Sequence, residues 1–170
     1  MLFVEADEIV PQIWQGSYPG EGRYVAASGF TMLVLCAKEL QGPSELFPDV
    51  EVVYAPNYDD GVHDLTRDLL KVAIEAAHRV ELAYKQGRKV LITCRMGMNR
   101  SGLVTGLALH MIFGWDGRTC VKRVQRKRRE HGGHRPLTNY QFVRALTNLS
   151  SQTDTPGGWQ EGPGGILVPV

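Results

Sequence analysis

A short run of β-branched and apolar residues, Lys89-Val90-Leu91-Ile92-Thr93, stops at Cys94, and a second apolar stretch from Gly102 to Phe113 begins a few residues later. The first run has the length and composition of a buried strand, and the second is long enough for a helix. A strand that hands over to a helix across so short a loop constrains the chain to a layered α/β architecture. It also places the loop at the carboxyl end of the strand, where ligands bind in such folds. A loop this tight can curl until its backbone N–H groups point inward and cradle a tetrahedral anion, and Gly97 permits the backbone turn.

The rest of the chain fits the same class. The alternation of Ile9, Pro11 and Ile13 ending at Gly16-Ser17 predicts an edge hairpin that leads to a helix near residues 21–28. Thr31 to Cys36 and Glu51 to Ala55 read as further buried strands. Thr66 can cap a long helix whose apolar face is Leu69, Ala73, Ala76, Val80 and Ala83, and Gly87 stands where a left-handed residue would end it. Another helix is expected from about Asp116 to Glu130, and a last one opens with Thr138 as cap and Gln141 completing a capping box. The expected fold is α/β, a single domain with a central, mostly parallel sheet of about five strands flanked by helices. Residues 1–151 form that domain, and residues 152–170, rich in Gly and Pro, read as a flexible C-terminal tail.

Bulk properties exclude more than they assign. A net charge of +1 with 22% charged residues points to no polyanionic or membrane partner. Three scattered cysteines make neither a disulfide framework nor a zinc site. Glu5, Asp7 and Glu8 give the start of the chain no basic export signal, and no apolar run reaches membrane-spanning length, so a cytoplasmic location is expected.

The chemistry concentrates between Thr93 and Gly102. The helix N-terminus, the inward amides and the Arg100 guanidinium all favour Cys94 as thiolate, a nucleophile ready at neutral pH. Arg100 can hold two phosphate oxygens with its planar fork, which lysine cannot imitate. Ser101 can donate a hydrogen bond to the sulfur when the sulfur must leave. Cys94-Arg95-Met96-Gly97-Met98-Asn99-Arg100-Ser101-Gly102 resembles the C-x-x-G-x-x-R-[S/T]-G signature loop of the protein tyrosine phosphatase superfamily, dual-specificity type. The resemblance implies a phosphate monoester hydrolase working through a cysteinyl-phosphate, with Arg95, Met96, Gly97, Met98, Asn99 and Arg100 around the phosphate and no metal or organic cofactor. The family usually has histidine before the cysteine, whereas this chain has Thr93.

The same resemblance assigns the general acid, which in these enzymes often lies three residues after a proline. Pro56-Asn57-Tyr58-Asp59 reproduces the spacing, with Asp60 as the alternative and Asp64 behind both. Asn139, in Arg135-Pro136-Leu137-Thr138-Asn139, matches the asparagine that buttresses the signature loop. The implied partner is a phosphorylated protein or peptide carrying phosphotyrosine, phosphoserine or phosphothreonine, because phosphoinositide relatives usually have lysines in the loop. Inositol phosphates stay open as substrates. RNA 5′-triphosphate also stays open, since Asn99-Arg100 occurs in RNA 5′-triphosphatase relatives. A rhodanese-like sulfurtransferase and a non-catalytic phosphate-binding module are rivals outside this chemistry. The basic run Lys122, Arg123, Arg126, Lys127, Arg128 and Arg129 reads as a solvated helix face or an attractor of anions. His131 and His134 lack further ligands at metal spacing. Cys36 and Cys94 both end strands, which puts a disulfide between them within consideration.

Overall fold

The computed structural model describes residues 4–128 and 135–151, and the backbone of residues 159–161 and 167–169. Strand β1 (Ala6–Val10) folds back on β2 (Ile13–Ser17) as an antiparallel edge hairpin, with Gln12 in the left-handed region at the turn. Strands β3 (Met32–Ala37), β4 (Glu51–Asn57) and β5 (Val90–Cys94) complete a five-stranded sheet in the order β1-β2-β5-β3-β4. Every pairing except the hairpin is parallel, so the sheet is mixed.

The alternation of side chains across a strand divides the core in two. Leu33, Leu35 and Leu91 face Val25, Phe30 and Phe47 on one side. Val34, Cys36 and Ile92 face the opposite way into the larger cluster, which includes Ala76, Val80, Leu103 and Leu107. β5 is buried along its whole length, as a central parallel strand with both faces covered must be. Its end is therefore held from both flanks by β2 and β3.

Helix α1 (Arg23–Ala27) is shorter than the expected span because the residues before it turn rather than wind. Helix α2 (Arg67–Lys85) begins where Thr66 Oγ1 accepts from Leu69 N at 3.2 Å and ends before Gly87 at φ +73°. Ala73, Ala76, Ala77, Val80 and Ala83 form its buried face. Helix α3 (Arg100–Phe113) starts at the arginine and contains the apolar stretch from Gly102 to Phe113. Helix α4 (Gly117–Arg128) follows the expected position, residues 129 and 130 lying outside the described residues.

Helix α5 (Tyr140–Thr147) is capped differently from the expectation: Asn139, not Thr138, accepts from Gln141 N at 3.0 Å and Phe142 N at 3.4 Å. Thr138 is instead held by its own N–H, which donates to Asn99 Oδ1. Within residues 152–170, strands β6 (Trp159–Glu161) and β7 (Leu167–Pro169) pair antiparallel. The other residues of that segment, and His131 and His134, lie outside the described residues. No described helix is long and apolar enough to cross a membrane.

Candidate active site

The five residues between Cys94 and Arg100 do curl back on themselves. Gly97 adopts φ +66°, and a Cβ there would collide with the backbone of Gly16 on β2, so the position demands glycine on two grounds. The carbonyls of Met96, Gly97 and Met98 are each taken from outside the loop. Arg128 donates to Met96 O at 3.3 Å and Gly97 O at 3.1 Å, Gln15 Nε2 reaches Gly97 O at 2.9 Å, and Leu137 N reaches Met98 O at 3.4 Å. In a trans peptide the C=O and the following N–H point in opposite directions. The N–H groups of Gly97, Met98 and Asn99 are thus turned away from those donors, which is the arrangement an anion cradle requires.

Two features of α3 add to that cradle. Asn99 occupies the N-cap position but makes no capping bond with its side chain. Its Oδ1 accepts from Thr138 N at 2.8 Å and Asn139 N at 3.1 Å, and its Nδ2 donates to Asp59 Oδ2 at 3.0 Å. The first-turn N–H groups of the helix are left without a side-chain cap, and with them the positive end of the helix dipole faces the loop.

Cys94 is 3% exposed and its Sγ lies 3.3 Å from Ser101 Oγ, the pairing expected from the sequence. Thr93 stands in the place of the family's histidine, and its hydroxyl donates to Val34 O at 3.1 Å, bracing β5 against β3. Cys36 precedes Ala37 at the end of β3, one position beyond the Leu35–Thr93 pair, which sets it beside Cys94. Burial, then the charge of Cys94, pushes the Cys36 thiol well up.

Arg100 is buried and electrostatically coupled to Cys94. A guanidinium has five N–H donors in one plane. Glu39 takes its end edge, with Nη1 at 2.6 Å and Nη2 at 2.9 Å, and Asn57 O takes a further bond from Nη1 at 3.3 Å. Nε finds no partner among the described residues. The donors left over, Nε–H and the second hydrogen of Nη2, share one side of the plane and match the spacing of two phosphate oxygens. Glu39 was not foreseen. Its only sequence signal is a carboxylate just past a strand end, in a position that topology alone brings to Arg100.

A cavity of about 400 Å³ opens here, lined by Lys38, Glu39, Tyr58, Asp59, Asp60, Arg95 and Arg100. Asp59 is held at its rim by two amides, Asn99 Nδ2 on Oδ2 and Asn139 Nδ2 on Oδ1 at 2.9 Å. Asn139 therefore reaches the acidic loop with its side chain and the signature loop only through its backbone N–H. Asp60 does other work. Its carboxylate accepts from His63 N at 2.9 Å and Val62 N at 3.0 Å and meets His63 Nδ1 at 2.7 Å, and these bonds hold it far below the usual carboxylate range. Asp64 receives Gln141 Nε2 at 3.0 Å. Met96 is 57% exposed, Arg95 is also exposed, and Met98 is half-buried. Among the described residues no cluster of His, Cys, Asp and Glu is arranged to hold a metal ion.

The basic run on α4 is not uniform. Lys122 and Arg126 are exposed, but Arg128 is 1% exposed beneath the loop. The spacing that could have identified it is present in the sequence, since Val121, Val124 and Arg128 fall on one face of the helix and both valines are buried.

No protein-family model and no curated protein matches the sequence. Solved structures do match. Human DUSP28 superposes with a TM-score of 0.67 at 24% identity, covering 83% of this chain and 89% of that one. Tk-PTP in its active form gives a TM-score of 0.69 at 23% identity over 85% of this chain and 97% of that one. A mouse putative dual specificity phosphatase complexed with zinc tungstate gives 0.67 at 23% identity, with 83% of each chain covered. The chain has the fold of the dual-specificity-type cysteine phosphatases, the group that its loop at residues 94–102 resembles.

Proposed function

We propose that the protein is a cysteine-dependent phosphatase that hydrolyses phosphate monoesters, with phosphotyrosine, phosphoserine or phosphothreonine in proteins as its substrates. The observation that carries this reading is the unfilled edge of the buried Arg100 guanidinium, electrostatically coupled to Cys94, together with a loop whose Met96, Gly97 and Met98 carbonyls are taken by donors outside it. A structural arginine would have its buried donors paired. An arginine with two coplanar donors open beside a sulfur is suited to bind a phosphoryl group for in-line attack.

In the first step the Cys94 thiolate attacks phosphorus, the bond to the ester oxygen breaks, and Asp59 gives that oxygen its proton. In the second, Asp59 as carboxylate takes a proton from water, the water oxygen bonds phosphorus, and the sulfur leaves as thiolate stabilised by the Ser101 hydroxyl. The choice of Asp59 over Asp60 rests on chemistry. Asp60 is committed to the turn at Val62 and His63 and stays ionised, while Asp59 holds no turn and is fixed at the cavity by two amides.

Hydrolysis of p-nitrophenyl phosphate tests the reading. Cys94→Ser is expected to abolish turnover while substrate still binds, and Asp59→Asn, assayed on an ester with a basic leaving group, to remove the fall in rate on the alkaline side of the pH–rate profile, where the acid loses its proton. Appreciable turnover by Cys94→Ser refutes the nucleophile. Loss of that alkaline limb in Asp60→Asn alone reassigns the acid, and thiosulfate-to-cyanide transfer without phosphatase activity replaces the reading with a sulfurtransferase. Phosphopeptides, inositol phosphates and triphosphorylated RNA compared side by side then fix the substrate.

A further inference from the structure

Burying a guanidinium costs several kcal/mol unless its charge and donors are met, so a buried arginine outside the reacting centre calls for a reason. Arg128 sits in this position. Its Nη1 meets Asp7 Oδ2 at 2.6 Å and Glu5 Oε1 at 2.9 Å, which neutralise it. Its two remaining contacts go to the signature loop: Nε to Gly97 O and Nη2 to Met96 O. Gln15 Nε2, 0% exposed on β2, bonds the same Gly97 carbonyl.

We infer that Arg128 is a positioning residue for phosphate binding, acting as a clamp that fixes the orientation of two successive peptide planes in the loop, with Gln15 as its second arm. The inference rests on the phosphatase reading of the same loop. Its logic is that of a lever. The peptide from Met96 to Gly97 and the peptide from Gly97 to Met98 each carry an N–H opposite the clamped carbonyl. Gly97, with φ +66° and no side chain, is the residue most free to rotate, so both planes need an external hold. A cation bonded to the carbonyl also polarises the peptide and strengthens its N–H as a donor. The carboxylates of Glu5 and Asp7 hold the guanidinium in place, and through them the N-terminal hairpin, 121 residues from Arg128, becomes part of the loop's support.

Two substitutions separate this role from a general contribution to folding. Arg128→Lys keeps the charge facing Asp7 and Glu5 but loses the fork. Gln15→Leu removes the second arm and, with it, a buried Oε1 that has no partner among the described residues, so its stability should change little. Removing one direct oxyanion donor from an enzyme lowers turnover by about 100- to 1,000-fold, and a group acting at one remove should do less, about tenfold. Arg128→Lys is expected to lower kcat/KM for p-nitrophenyl phosphate by that factor and to raise the inhibition constant of inorganic phosphate in parallel. Gln15→Leu is expected to do the same to a smaller degree at an unchanged Tm. A merely structural arginine would lower Tm and leave phosphate affinity per folded molecule unaltered, and that result overturns the clamp. If Arg128→Lys does not fold, Gln15→Leu decides alone, wild-type phosphate affinity counting against the proposal. A wild-type protein that binds phosphate but hydrolyses nothing defeats the phosphatase reading while leaving the clamp testable by binding. One that does neither defeats both.

Discussion

Asn139 performs two tasks with the two ends of one amide, and a serine in its place should separate them. Its Oδ1 caps α5 and its Nδ2 donates to Asp59 Oδ1 at 2.9 Å. Serine is as good an N-cap as asparagine, so Asn139→Ser should leave stability within a few tenths of a kcal/mol, whereas Asn139→Ala should cost about 1 kcal/mol. Serine has no amide to reach the carboxylate, which keeps only the Asn99 bond at 3.0 Å. A hydrogen bond to a charged group is worth about 1.5–3 kcal/mol when buried, and solvent access at the rim reduces this to about 1 kcal/mol. At 1.36 kcal/mol per factor of ten, that is about a fivefold loss of rate. The loss should depend on the leaving group. Esters of strongly basic alcohols need the proton from Asp59 most and should show the full effect, and esters of acidic phenols should show almost none. The assay is kcat/KM across a series of phosphate esters graded by leaving-group pKa, repeated in the Asp59→Asn background. A loss uniform across the series, or one that persists undiminished when Asp59 is already asparagine, refutes the reasoning and returns Asn139 to a purely structural cap.

Glu39 provides a pH signature, because its hydrogen bond from Arg100 lowers its pKa below the ordinary 4.5. The stabilisation from this pair is thus fully present above that value and lost as pH falls through the lowered one. With its side chain 45% exposed, it amounts to no more than about 1 kcal/mol. Thermal unfolding of wild type and Glu39→Gln should differ at neutral pH and converge in acid; a gap that persists at low pH contradicts the assignment. Peroxide is expected to oxidise Cys94 to a sulfenic acid, which Cys36 then attacks with release of water to form a disulfide. Peptide mapping that finds no Cys36–Cys94 linkage after treatment removes that idea.

What the sequence made legible is what depends on near neighbours along the chain. Gly97 could be read because a five-residue loop between strand and helix needs a left-handed residue, and Gly87 and Thr66 because helix ends advertise their caps. Asp59, which the family resemblance singled out through its spacing to Pro56, lies at the cavity. Thr138 was misjudged as a cap because it and Asn139 are both good candidates, and only the position of Asn99 showed which one was already engaged. Thr93 and Asn139 could be placed beside the signature loop, whereas their side-chain partners lie too far along the chain to be read from it. Thr93 turns to Val34, and Asn139 turns its side chain to Asp59.

The two buried arginines show why the remainder was hidden. Arg100 is matched by Glu39 and Asn57 O, and Arg128 by Glu5 and Asp7, partners 43 to 123 residues away along the chain. Each pairing exists only because the parallel order β2-β5-β3-β4 brings the ends of those strands to one edge, with β1 folded back at the other side of β2. A net charge of +1 conceals both, since each buried cation is cancelled by an acid that looks, in sequence, like any surface carboxylate. The two arginines nevertheless have opposite uses. Arg128 spends all its described contacts on protein and fixes the loop from behind, while Arg100 keeps one edge open in front. The bonds of the first hold the loop in place and so let the open Nε of the second persist, because an orphaned donor stays orphaned only if the loop around it is too rigid to collapse onto it.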